Sequence, residues 1–161
     1  MSAGDEFFAA FLAEVRALDE QRPIEGLTPE EIDEVRRDQG VASLPAYYAV
    51  FLRLLGRRSG AFLVGTDVLY PTIIGLKAST REALEQGDVS SLMPDDAVVV
   101  AVHGGYEFYW LEPDGSPDPP LVKYEEGEPD IERRWDRFSD YLTWEVREQA
   151  RLRAEIRTRR T

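Results

Sequence analysis

Apolar residues near the start of the chain recur every three to four positions behind an acidic first turn. The repeating residues are Phe8, Phe11, Leu12, Val15 and Leu18. This spacing places them on one side of a helix, so it predicts an amphipathic helix over residues 5–20.

A second helix is predicted over residues 27–40, which read LTPEEIDEVRRDQG. Thr28 and Glu31 have the spacing of a capping box, and Pro29 suits the first helical position. Gly40 is a typical helix end. The apolar stripe between these ends is narrow, which favours a position on the surface.

A third helical segment, residues 45–56, is apolar on every side, and Arg53 is its one charged residue. Pro45 suits the first turn of a helix, and Gly56 ends the segment. Because a helix of this kind is normally buried on several sides, we expect a central helix between a sheet and neighbouring helices. A partner-binding groove lined by its tyrosines is the alternative.

Strand patterns dominate the later part of the chain. AVVVAV at residues 97–102 predicts a buried strand, and after the turn HGG the alternating YEFYWL at 106–111 predicts its hairpin partner. LVKYEEG at 121–127 fits a third antiparallel strand. Before them, AFLVG and VLYPTIIGL have strand-type composition, and STREALEQG predicts a short surface helix or turn. The predicted order is helices followed by a meander of strands.

Helical spacing returns towards the C-terminus and predicts a helix docked on the core. The repeating residues are Ile131, Trp135, Phe138 and Leu142. Beyond Val146 only Leu152 and Ile156 are large and apolar. We therefore expect the helix to fray there, and truncation after Val146 to cost less than about 2 kcal/mol of stability.

The composition excludes several kinds of chemistry. The 161 residues suffice for one domain with a real core, but they include no cysteine and one histidine. Thiol chemistry and a histidine cluster for zinc are therefore excluded, and no cofactor is expected. Asp5 and Glu6 stand where a secretory signal needs positive charge, and no apolar run is long enough for a membrane span. These features predict a cytoplasmic protein without membrane contact.

The charge is unevenly distributed. The formal net charge is −12, but residues 147–161 carry six arginines and two glutamates, so residues 1–146 hold −16. An acidic body argues against direct nucleic-acid binding and favours basic partners. The arginine-rich tail predicts a solvated helix, with nucleic-acid contact or docking on the acidic body as alternatives.

Few residues are candidates for catalysis. They are His103, Glu107, Asp95 and Asp96. HGGY lacks the following helix and lysine of a phosphate loop. No recognisable nucleophile motif accompanies His103, which favours a turn position, and the two aspartates fit a turn after Pro94. The sequence therefore predicts a protein that is not an enzyme.

Other residues are candidates for partner binding. They are Glu125, Glu126, Glu128, Tyr106 and Tyr109. The three glutamates crowd like charge at the end of a strand, and contact with a partner and plain solvation explain them equally well. Asp130 and Glu132 are explained by a position at the start of the following helix. For the tyrosines, packing against the sheet is the alternative to an interface role.

Residues 27–142 resemble the SUKH superfamily, which groups the yeast Smi/Knr cell-wall-synthesis regulators with many bacterial immunity proteins. The resemblance begins with LTPEEIDEVRRDQGVASLPAYYAVFLRLLG, a capped helix, a Gly-x-x-x-Leu-Pro turn and a Tyr/Phe-Leu helix. It continues in Leu69-Tyr70-Pro71, VVVAVHGGYEFYWLEPDG, PLVKYEEGEP and RFSDYL. LLGRRSG replaces a frequent asparagine–glycine pair, and Arg137 replaces a frequent serine.

The resemblance implies an α+β fold, with a mostly antiparallel sheet of about five or six strands packed against helices. The SUKH-like domain would span residues 27–146, with an added amphipathic helix in 1–26 and the basic tail in 147–161. The implied function is a non-catalytic immunity protein that neutralises a cognate bacterial toxin, a nuclease or another nucleic-acid-modifying domain. The acidic body suits a toxin with a basic surface. An intracellular scaffold or regulatory adaptor of the Smi/Knr kind is the alternative.

Overall fold

The computed structural model describes residues 2–161 and contains, within that range, five α-helices and two antiparallel sheets. The helices are α1 (Ala3–Leu18), α2 (Pro29–Gln39), α3 (Ala46–Leu55), α4 (Leu76–Gln86) and α5 (Phe138–Arg159), and a 3-10 turn spans Ser90–Leu92. The strands are β1 (Ile24–Glu25), β2 (Arg58–Ser59), β3 (Thr66–Asp67), β4 (Val98–His103), β5 (Glu107–Leu111), β6 (Leu121–Glu125) and β7 (Arg133–Trp135).

Strands β3 to β7 form one sheet in sequence order, with every neighbouring pair antiparallel, and β1 pairs with β2 in a small ribbon. This arrangement confirms the expected α+β fold. The predicted hairpin and third strand correspond to β4, β5 and β6.

Both faces of the large sheet are covered, which explains the continuous apolar run in β4. Helices α1, α3 and α5 lie over one face, where Val98 and Leu111 are buried. Helix α4 lies over the other face, where Val99 and Trp110 are buried. The segment predicted as a short helix or turn is therefore helix α4, and its Leu84 belongs to this second core.

Helix α3 is the centre of the helical layer, as its sequence predicted. Tyr48, Phe51, Leu52 and Leu55 are each at most 1% exposed. The phenol ring of Tyr48 and the ring of Phe51 both contact Phe138 at the start of α5. Complete burial also raises the pKa of Tyr48 well above its ordinary value.

Helix α2 begins where its local signals predicted. Helix α1 begins at Ala3, earlier than predicted, because Ser2 and Asp5 form a capping box there. Thr28 and Glu31 form the predicted capping box of α2, with the side chain of each accepting from the backbone N–H of the other. Gly40 follows α2 in the left-handed conformation, with φ 68°. Helix α1 buries Phe8 and Val15 in the same core as α3.

One side chain completes the edge of the large sheet. Strand β3 pairs only with Val102 and His103, so β4 has no neighbouring strand beside Val99 on that side. The amide of Gln39, at the end of α2, donates to the Val99 carbonyl at 2.8 Å and accepts from the Val99 N–H at 3.0 Å. Gln39 is 1% exposed. Its amide therefore takes the place of a paired residue.

The predicted start of the last helix is wrong. Trp135 ends strand β7, where it pairs with Leu121, and α5 begins only at Phe138. Ile131 lies before β7 and packs against the second core. The helical spacing of these residues is incidental, because pairing with β6 holds residues 133–135 extended.

The predicted fraying beyond Val146 is also wrong, because α5 continues to Arg159. The Gln149 side chain accepts from the Leu63 N–H at 3.1 Å, and the Arg153 guanidinium donates to the Leu18 carbonyl at 3.3 Å. These contacts hold the distal half of α5 against α1 and the loop before β3.

Neither AFLVG nor VLYPTIIGL forms a strand, contrary to their composition; the short strand β3 lies between these two segments. Residues 61–65 form turns, in which Ala61, Phe62 and Leu63 are buried. Their apolar side chains pack in the core, although their backbone is irregular. Composition alone does not distinguish such a segment from a strand.

Candidate functional site

Two turns lie side by side at one end of the large sheet. The turn after β4 contains Tyr106, and the turn after β6 contains Glu126, whose N–H donates to the Tyr106 carbonyl at 2.8 Å. In the β5–β6 pairing Glu107 lies opposite Glu125. The structure thus brings the predicted glutamates and Tyr106 to one place, although they are distant in the sequence.

The turn after β4 fixes the position of Tyr106. Gly104 and Gly105 both have positive φ, as a tight turn between antiparallel strands requires. A Cβ on Gly104 would lie 2.5 Å from the Tyr106 ring, so the ring is packed on the turn itself. Its 44% exposure leaves Tyr106 available to a partner.

The acidic end, which we define as Glu125, Glu126, Glu128 and Asp130, has no internal neutralisation. All but the half-buried Glu125 are exposed. Among residues 2–161, no basic side chain forms an ion pair with any of these four. Lys123 of the same strand pairs instead with Glu107 at 3.1 Å and with Glu132 at 3.2 Å. The acidic end therefore presents uncompensated negative charge.

Tyr109 lies apart from this exposed surface. Its ring packs 5.7 Å from that of Tyr141 on α5, and its hydroxyl donates to Glu107 at 3.3 Å. Burial, aided by the neighbouring carboxylates, raises the pKa of Tyr109 well above its ordinary value. Tyr109 is thus part of the wall between the sheet and α5.

A groove of about 330 Å³ opens between the distal half of α5 and this end of the sheet. One side is formed by residues 61–66 and the other by α5. Its lining includes the apolar Leu63, Val64, Leu152 and Ile156 and the polar His103, Glu107, Tyr109, Glu145 and Gln149. We refer to this space as the α5 groove.

Glu145 is the unusual charged group of the α5 groove. It is partly buried and accepts a hydrogen bond from the Gln149 side chain at 2.9 Å. Burial raises its pKa above the ordinary value, and the hydrogen bond from Gln149 opposes this effect without cancelling it. Within the described chain, no lysine or arginine lies within ion-pair distance of Glu145.

Sequence reasoning missed the groove because it expected the helix to fray beyond Val146, where Gln149, Leu152 and Ile156 lie, and it did not single out Glu145 in the helix before that point. A signal was present, since Tyr141, Glu145, Gln149, Leu152 and Ile156 recur at helical spacing. These five residues all line the groove. Leu152 and Ile156 alone do not indicate that this face of α5 packs on the protein. The loop of residues 61–66 that it meets is distant in the sequence.

The four candidate catalytic residues do not all converge. Glu107 lies opposite His103 in the β4–β5 pairing, and both line the α5 groove, but the two aspartates lie elsewhere. The His103 Nδ1 atom lies 3.0 Å from the Thr66 hydroxyl, at one end of β4. Asp95 and Asp96 occupy the turn before β4, at its opposite end. The six-residue strand between them separates these groups by about 17 Å, too far for a shared proton transfer.

Residues 2–161 lack two features that would suggest other functions. No helix there is long and apolar enough to cross a membrane. In the same range, no three histidine, cysteine, aspartate or glutamate side chains are grouped so that they could hold a metal ion.

Comparison with curated protein sequences gives no match. A sequence model of the SMI1 / KNR4 family (SUKH-1) matches residues 26–144. This range includes α2, α3, α4 and the whole large sheet, and it omits α1 and most of α5. The match confirms the resemblance to the SUKH superfamily. The chain belongs to the SMI1 / KNR4 family (SUKH-1).

Proposed function

We propose that this protein is a non-catalytic immunity protein, which binds a cognate bacterial toxin with a basic surface and thereby neutralises it. The toxin would be a nuclease or another nucleic-acid-modifying domain. The observation that supports this proposal best is the acidic end, whose carboxylates have no basic partner within residues 2–161. Family membership supports a role in protein binding.

Charge complementarity favours a toxin that acts on nucleic acids as the partner. A nuclease holds phosphates with lysine and arginine, so its substrate surface is positive. A protein that presents clustered carboxylates is attracted to such a surface and can occlude it. Glu125 lies opposite Glu107 in the sheet, but Lys123 forms an ion pair with Glu107 and none with Glu125. The charge of Glu125 therefore remains available to a basic partner.

The first test measures stoichiometry. A toxin domain encoded by the neighbouring gene would be assayed for nucleic-acid cleavage at increasing ratios of the purified protein. Because the protein acts by occlusion, we expect inhibition to be complete near one molecule per toxin. Loss of activity at a ratio far below one would contradict a binding mechanism and indicate an enzymatic antidote. Binding without inhibition would favour the scaffold or adaptor role instead.

The second test reverses the charge of the acidic end. Replacing Glu125, Glu126 and Glu128 by lysine should slow association with the toxin about tenfold or more at low salt, because steering of this kind raises association rates by about 10 to 10³. The effect should shrink at 1 M salt, where the Debye length falls to about 3 Å. Folding stability should change by less than about 0.5 kcal/mol for each exposed position.

A matched control carries the same change in net charge elsewhere. Glu20, after α1, and Glu82 and Glu85, on α4, are exposed, so their triple lysine variant tests the effect of net charge alone. We expect this control to associate faster than the acidic-end variant. Equal rates for the two variants would exclude the acidic end as the contact surface.

A further inference from the structure

The α5 groove is lined by two carboxylates and by apolar side chains that remain open to solvent. Glu107 and Glu145 both line the groove. Val64 is 60% exposed, Leu152 44% and Ile156 51%, so each presents a large apolar side chain without cover. A surface of this kind matches a ligand that is apolar along its length and positively charged at its end.

The cations around the groove are already engaged elsewhere. Arg153 lines the groove, but its guanidinium donates to the Leu18 carbonyl of α1. Lys123 bridges Glu107 and Glu132. Glu145 therefore keeps a partly buried carboxylate whose one protein hydrogen-bond donor within residues 2–161 is the neutral amide of Gln149.

We propose that the α5 groove receives an arginine side chain of the partner protein, with the aliphatic stem between Leu152 and Val64 and the guanidinium at Glu145. This inference rests on the proposed function, because it assumes a basic protein partner. A guanidinium is more weakly hydrated than an ammonium and has five N–H donors, so it enters a partly buried carboxylate site at lower desolvation cost than lysine. It would supply the cation that Glu145 lacks.

The size and position of the groove agree with one side chain as the occupant. Its volume of about 330 Å³ lies at the lower end of the roughly 300–1,000 Å³ typical of ligand pockets. Glu107 connects it to the acidic end, since it lines the groove and faces Glu125 across the sheet. A partner drawn to the acidic end would thus have the groove within its contact area.

Glu145, Leu152 and Ile156 lie outside residues 26–144, which match the family. Part of the groove is therefore built by a segment that the family model does not cover. This segment can therefore give the chain a binding contact that the family-matched region alone does not provide. Such a contact adds specificity, because specificity depends on differences between related binding surfaces.

The test uses the protein alone and a small probe, N-acetyl-arginine methylamide, followed by NMR. We expect saturable shifts of the backbone amides of Leu63, Gln149 and Leu152 with this probe. The citrulline analogue has the same shape without the charge and should give no such shifts. Glu145→Gln should abolish the response to the arginine probe. Glu155→Gln, the same change at a residue of α5 that does not line the groove, should preserve it.

Absence of saturable shifts in the unchanged protein up to the solubility limit of the probe would overturn the inference. An equal response in Glu145→Gln and Glu155→Gln would also overturn it. The substitution of Glu145 is expected to leave folding intact, because glutamine keeps an oxygen that can accept from Gln149.

A second measurement separates this inference from the proposed function. With the toxin, Glu145→Gln should weaken binding by at least about tenfold relative to Glu155→Gln, since loss of one partner of a desolvated charge pair is costly. Toxin binding that is equal in both variants overturns the arginine contact and leaves the immunity role standing. Failure of the unchanged protein to bind the toxin refutes the proposed function, while the probe experiment still decides the chemistry of the groove.

Discussion

Replacing Gln39 by leucine should lower the free energy of unfolding by about 3 kcal/mol. Leucine has nearly the same size, but it cannot bond either backbone group of Val99. Both groups would then lie unpaired at a buried sheet edge, and each unsatisfied group costs about 1–3 kcal/mol. A gain from the more apolar side chain offsets part of this loss. The domain should remain folded, because stabilities of this class are about 5–15 kcal/mol.

Urea unfolding measures this effect directly. The midpoint should fall while the slope of free energy against urea stays the same, since the surface exposed on unfolding is unchanged. Gln86→Leu is the matched control, because Gln86 is exposed on α4 and its side chain bonds only weakly to Glu82, at 3.4 Å. We expect the control to change stability by less than about 0.5 kcal/mol.

A local measurement distinguishes loss of the edge contact from a general loss of packing. Hydrogen exchange of the Val99 amide should speed up more in Gln39→Leu than the global loss of stability accounts for. A destabilisation below about 1 kcal/mol, with unchanged exchange at Val99, would refute the view that Gln39 completes the sheet edge.

Two further predictions concern α5. Ending the chain at Val146 should lower stability by about 3 kcal/mol, because it removes the acceptor of the partly buried Leu63 N–H, the bond from Arg153 to the Leu18 carbonyl and the partial packing of the largely exposed Leu152 and Ile156; a loss below about 1 kcal/mol in urea would show that the distal half of α5 is not docked. Glu145→Gln should raise the melting temperature near neutral pH, because burial raises the pKa of Glu145 and so penalises its ionised form in the folded state. This advantage should vanish well below the ordinary value of 4.5, where both states are protonated, and its persistence there would contradict the assignment.

Local signals predicted those parts of the fold that local interactions determine. Thr28 and Glu31 bond each other's backbone within one turn, so their spacing alone predicts the start of α2. The buried run of β4 and the glycines after it likewise identify a hairpin. The acidic end could be recognised from the sequence because its charged residues are close together in the chain.

Distant contacts determine what the sequence could not predict. Trp135 has helical spacing to Phe138 and Leu142, but pairing of β7 with β6 holds it extended. In the sequence, Gln39 lies near the end of a predicted surface helix. Its structural role comes from two side-chain hydrogen bonds to the backbone of Val99, 60 positions away. Periodicity within one segment carries no information about such partners.

Glu145→Gln is expected to have opposite effects on the stability of the free protein and on its binding to the partner. In the free protein, Glu145→Gln removes a partly buried carboxylate that has no ion-pair partner within residues 2–161, so it should stabilise the fold. In the complex, the same substitution removes the group that meets the arginine, so it should weaken binding. A residue needed only for packing would shift both quantities in the same direction. Measuring both on one variant therefore separates a binding role from a structural one.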